Sequence, residues 1–99
     1  AYHAIDPLTY SGSREDALEA LADVVKALPR TTIVTRREDY LYAEFASALL
    51  GFVDDVEFYL PPDQKIVHVR SASRLGHSDL GVNRTRVEEI RRRFKAKGA

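Results

Sequence analysis

Cysteine is absent from this 99-residue chain, which excludes a disulfide framework and any thiolate metal site built from these residues. Long apolar runs are absent too. The longest, Ala48 to Val53, falls far short of the ~20 residues that cross a bilayer as a helix. No internal repeat or low-complexity tract occurs, and neither sign of charge is in excess, because fifteen basic and fifteen acidic residues give a formal net charge of zero. What remains, 44% hydrophobic and 30% charged, is the composition of an ordinary folded globule rather than of a disordered chain. A chain of this length supports one core, burying roughly 60–70% of the surface its unfolded form exposes.

The zero net charge conceals a polarity along the chain. Residues 1–69 carry six Lys and Arg against twelve Asp and Glu, whereas residues 70–99 carry nine against three. Folding brings such segments within a Debye length of ~10 Å, so the two parts are expected to pair with each other.

Taken in order, residues 1–12 read as an extended entry segment that lays Ile5, Leu8 and Tyr10 on the domain and is broken by Pro7 and Gly12. Ser13 followed by Asp16 resembles a capping box and starts a helix over about 13–28, with Leu18, Leu21, Val25 and Leu28 on one stripe. Pro29 ends it. Strands follow at about 31–35, 40–47, 53–60 and 65–73, with Arg36 to Asp39 and Pro61-Pro62-Asp63-Gln64 as turns and a further turn at Ala48 to Phe52. Leu41, Ala43, Phe45, Val56, Phe58, Leu60, Val67 and Val69 take the inward parity. Asn83 is the expected cap of a second helix over about 83–94, whose inward stripe is Val87, Ile90 and Phe94 and whose basic residues, Arg91 among them, point outward. The fold class is therefore α+β: a two-layer sandwich in which two helices lie on one face of a four-stranded antiparallel sheet, in the order helix, four strands, helix.

Two constellations carry candidate chemistry. The first is the uncovered sheet face. Pairing Leu60 with Lys65 sets Tyr59 opposite Ile66, Glu57 opposite His68 and Asp55 opposite Arg70, and gathers Tyr42, Glu44, Asp55, Glu57, Tyr59, His68 and Arg70 on a surface where aromatic rings lie among charges, as in many binding surfaces. Glu44, Asp55, Glu57 and His68 are ligand types that suit a hard cation, but no spacing motif supports one and Arg70 sits among them. No metal or cofactor is expected. The second is the stretch Arg70 to Arg86. Its arginines Arg70, Arg74 and Arg86 have the forked donors that hold carboxylate or phosphate, and Asp54 and Asp79 are the internal partners that would instead tie them down. A semi-buried Asp54–Arg86 pair is the expected clasp, with Arg74 joining Asp54 and Asp79. Serines 71, 73 and 78 near His68 and His77 do not by their spacing give a nucleophile and base. The basic second helix carries no nucleic-acid motif, so no nucleic acid is expected.

Gly51-Phe52-Val53-Asp54-Asp55-Val56, with Arg70-Ser71-Ala72-Ser73-Arg74, Gly76, Asp79-Leu80-Gly81-Val82-Asn83 and Arg86, resembles the bacterial and plastid family called domain of unknown function 1499. The resemblance spans about Tyr2 to Phe94 and implies no particular activity. Proteins of that family often have a membrane leader or lipoprotein-like start and a Pro/Asn/Cys-containing segment ahead of the first strand. This sequence has neither, opening at Ala1-Tyr2-His3, so the resemblance implies an exported domain of the periplasm or thylakoid lumen, or a membrane-associated one, whose beginning lies upstream. The expectation is a non-catalytic binding or accessory domain that docks a protein partner or larger assembly on the polar sheet face. The rival is a small-anion binder or enzyme centred on Asp54, Asp55, Arg70, Arg74 and Arg86.

Overall fold

A computed structural model of the chain describes residues 2–46, 52–74 and 80–99. The expected turn at Ala48 to Phe52 and the candidate Asp79 fall outside these, apart from Phe52. Seven elements follow one another: β1 Tyr2–Thr9, α1 Arg14–Ala27, β2 Thr31–Arg37, β3 Tyr40–Ala46, β4 Val53–Tyr59, β5 Ile66–Ser73 and α2 Leu80–Ala96. The sheet is antiparallel with spatial order β1-β5-β4-β3-β2. It thus has five strands rather than four, and the order opens on a strand, because the entry segment pairs with β5.

That first strand has a physical reason to escape a period-two reading. Ile5 pairs with Val69, yet Leu8 pairs with Val67, so β1 spends one extra residue at Asp6-Pro7. The bulge lets two apolar residues three apart share the inward face, and it places the proline where no ladder donor is required. Arg91 of α2, expected to point outward, folds back instead. Its guanidinium donates to the carbonyl oxygens of Pro7 at 2.9 Å and Asp6 at 2.7 Å, satisfying acceptors that the bulge removes from the ladder.

A second bulge lies in β2, at the opposite edge. Ile33 pairs with Ala43 and Thr35 with Tyr42, leaving Val34 over and 50% exposed. Past it the parity of β2 is exchanged, so Arg36, opposite inward-facing Leu41, reaches α1 and pairs with Glu19 at 2.5 Å.

α1 begins where the sequence places it. Ser13 is the N-cap, its hydroxyl accepting from the Asp16 backbone N–H at 3.0 Å, and Glu15 and Asp16 occupy the first turn near the positive end of the helix dipole. α2 starts at Leu80, one turn before the expected cap, so Asn83 lies within the helix and not at its start. The two helices pack on each other and on the same sheet face. Leu18, Leu21 and Val25 from α1 and Val87, Ile90 and Phe94 from α2 close with Leu41, Phe45, Val56, Phe58 and Val67 into one core. Burial of such side chains, at ~1.5–3 kcal/mol each, is the dominant stabilising term.

Candidate functional site

The face away from the helices is built by alternation. Along β3 the inward residues Leu41, Ala43 and Phe45 are buried, so Tyr40, Tyr42 and Glu44 must face out; on β4 the same logic exposes Asp55, Glu57 and Tyr59, and on β5 His68 and Arg70. Tyr42, Glu57, Tyr59, His68 and Arg70 therefore share this face as expected.

Their pairing differs from the expected register by two residues. Tyr59 is opposite His68, Glu57 opposite Arg70 and Asp55 opposite Ala72. The shift arises because the connection after β4 is longer than the Pro-Pro turn suggests. Leu60 donates its N–H to Asp39 in the β2–β3 turn at 2.8 Å, and the carbonyl of Lys65 accepts from Tyr10 at 3.1 Å, so neither residue is available to pair with the other. An even shift keeps every side chain on its face. It exchanges partners only, giving Asp55 to Arg74 in place of Arg70.

The tyrosines reach diagonally across the β3–β4 pair. Tyr40 donates its hydroxyl to Glu57 at 2.5 Å, and Tyr42 donates to Asp55 at 2.5 Å, each passing over its direct register partner. Arg74, just beyond β5 and anchored by its N–H to the Val53 carbonyl at 3.2 Å, closes one end. Its Nε and terminal nitrogen grip both oxygens of Asp55 at 3.1 and 3.0 Å, it donates to Tyr42 Oη at 3.3 Å, and it also pairs with Glu44. Arg74 was expected to join Asp54 and Asp79; it binds the open-face carboxylates instead. Glu44 thus takes its expected place on this face, and Tyr40 is a further member of the site that outward parity alone could have added to the candidates. At the other end, Tyr59 stacks on His68 with centroids 6.4 Å apart, and the Arg37 guanidinium lies 6.0 Å from the Tyr40 ring centroid. Between Tyr40, Tyr42, Asp55 and Glu57 lies an open hollow of about 190 Å3.

The electrostatics follow from these bonds. The hydrogen bonds from Arg74 hold the Asp55 carboxyl below its ordinary value, with the Tyr42 hydroxyl adding to the effect. Donation to that carboxylate pushes the Tyr42 phenol up, against a smaller opposing effect of Arg74. Tyr42 is accordingly a fixed donor at neutral pH and is disfavoured as a phenolate nucleophile.

Asp54 is on the other side of the sheet. Its carboxylate meets Arg86 of α2 at 2.9 Å, and the same guanidinium stands 4.8 Å from the Phe45 ring centroid. This is the clasp expected from parity. The adjacent pair Asp54 and Asp55 therefore serves opposite faces, and the structure does not bring Asp54, Asp55, Arg70, Arg74 and Arg86 together as one cluster. It also separates the serine–histidine candidates, since Ser71 is buried on the helix side whereas His68 is exposed on the open side. His77 and Ser78 lie outside the described residues. Among the described residues, no three His, Asp or Glu side chains are placed to hold a metal ion, and no helix is long and apolar enough to cross a membrane.

The family described as Protein of unknown function (DUF1499) matches residues 1–94 of the chain, and the chain belongs to that family. No curated protein and no solved structure matched it.

Proposed function

We propose that this DUF1499 domain is a non-catalytic binding domain that docks a protein partner on the open face of its sheet. The observation that carries this reading is the diagonal ladder: Tyr40 to Glu57 and Tyr42 to Asp55, closed by Arg74. Hydrogen-bonded rings and carboxylates are already held in one geometry, so a partner meets a surface whose side-chain entropy is largely spent before binding. Tyrosine and arginine are also the residue types that concentrate at protein interfaces. The setting we assign, an exported or membrane-associated assembly, draws on the family resemblance.

The small-anion alternative loses support from the same geometry, because Arg74 and Arg86 are each engaged by carboxylates and lie on opposite sides of the sheet. The test is a photo-crosslinking residue in place of Tyr59, which is 43% exposed at the end of the middle strand, compared with one at exposed Asp23 on α1. Discrete protein adducts at position 59 and none at 23, in the cell that produces the chain, are expected. Equal diffuse labelling at both sites, with saturable phosphate binding by calorimetry that Arg74→Ala abolishes, would overturn the reading in favour of an anion site.

A further inference from the structure

The charges of the open face sum to zero: Glu44, Asp55 and Glu57 against Arg37, Arg70 and Arg74. A surface of that kind matches neither a polyanion nor a polycation. The carboxylates lie on β3 and β4, however, whereas Arg70 and Arg74 lie on and just past β5, with Arg37 apart from them on β2. β4 is the middle strand of the sheet and β5 is its neighbour.

Consider a two-fold axis laid along the strands between β4 and β5, with two sheets face to face. It sets every residue of β4 and β5 over the register partner that it has within its own chain. Arg70 then lies over the facing copy's Glu57, and His68 over the facing copy's Tyr59, each twice by symmetry. A small open-face position also meets a larger one. Ala72 falls over the facing copy's Asp55. Because the axis runs beside the middle strand, four of the five strands overlap, in the aligned manner in which sheets pack about 10 Å apart.

We propose that the occupant of the open face is a second copy of this chain, forming a closed two-fold dimer in which Arg70 and Glu57 of both copies make an alternating ring of four charges. The proposal rests on the reading of this face as a docking surface and names its partner.

Sedimentation equilibrium of the purified chain, from low micromolar to near-millimolar concentration, is expected to show a monomer–dimer transition. Arg70→Glu alone and Glu57→Arg alone each set like charges against the facing copy and are expected to leave monomers over the whole range. An equimolar mixture of these two variants restores opposite charges at every contact, and it is expected to form the heterodimer that neither forms alone. No rearrangement within a single chain gives that result. Ala72→Glu, which sets a carboxylate over the facing copy's Asp55, is a further arm should either charge variant fold poorly by circular dichroism; it too is expected to be monomeric. A wild-type chain that stays monomeric throughout, a mixture that stays monomeric, or an Ala72→Glu variant that dimerises like wild type overturns the proposal. If position 59 crosslinks to a different protein while the chain remains monomeric, the docking face stands and the second copy falls.

Discussion

Arg86 on α2 and Asp54 on β4 meet at 2.9 Å across the joint between helix and sheet, each side chain only 16% exposed. A pair so nearly buried gains little over an apolar pair of the same volume, but removing one partner strands the other's charge. Arg86→Ala or Asp54→Ala is therefore expected to cost about 3 kcal/mol in urea unfolding, and the double replacement Arg86→Met with Asp54→Leu to recover most of it. A single replacement within about 0.5 kcal/mol of wild type would show that the clasp is incidental.

Arg74 grips Asp55, Tyr42 and Glu44 in solvent, with 47% of its side chain exposed. Its removal should leave the domain folded, with unchanged circular dichroism, while the Asp55 carboxyl rises towards its ordinary value as the main cause of its depression is lost. Carboxyl-carbon NMR titration reads that shift directly. Unfolding on Arg74→Ala would instead make Arg74 a structural tie.

Acid should act through two carboxylates. Asp55 is held low by Arg74, and Glu89 is lowered from 4.5 to about 2 by hydrogen bonds from Arg92 and then Arg93. A depressed folded-state value means that the stabilisation is complete above the unfolded-state value and is lost as pH falls through the folded one. The contribution of Glu89 is thus expected to be level above about pH 5 and to disappear between about 4.5 and 2. Glu89→Gln should flatten that part of the stability profile, as followed by thermal melts.

Tyr42 offers an optical readout of the ladder. Its phenol should ionise above the ordinary tyrosine value of 10.0, because it donates to Asp55. The ultraviolet titration difference between wild type and Tyr42→Phe isolates this group. In an Asp55→Asn background the same difference should move down; no movement would mean that Asp55 is not the cause.

Arg91 predicts a local effect. Arg91→Ala removes both donors to the β1 bulge and is expected to cost about 1–2 kcal/mol, with faster amide exchange concentrated in β1. Arg92→Ala, which loses only its pair with Glu89, should leave β1 protection unchanged.

Much of the architecture is legible in the sequence because the inward residues of β3, β4 and β5 alternate cleanly. Parity alone separates Asp54 from Asp55, and it leads to the Arg86 pair. What parity cannot supply is partner identity. The register misses by two since the backbone groups of Leu60 and Lys65 are taken by Asp39 and Tyr10, contacts distant in sequence that no local pattern reports. β1 is hidden for a related reason: at Asp6-Pro7 its apolar spacing is three, which reads as an interruption until β5 is beside it. Arg74 reaches Asp55 because its strand is two residues out of the assumed step.

Both rims of the sheet carry the same kind of irregularity. At one, Val34 is extruded and charged Arg36 and Arg37 follow it; at the other, Asp6-Pro7 buckles the strand and Arg91 occupies the freed carbonyls. A bulged, charged or proline-bearing border is a poor template for a further strand. The sheet therefore resists lengthening by strand addition, the route by which β-proteins run on into fibres. Broadside association on the open face, as proposed, ends at a finite complex.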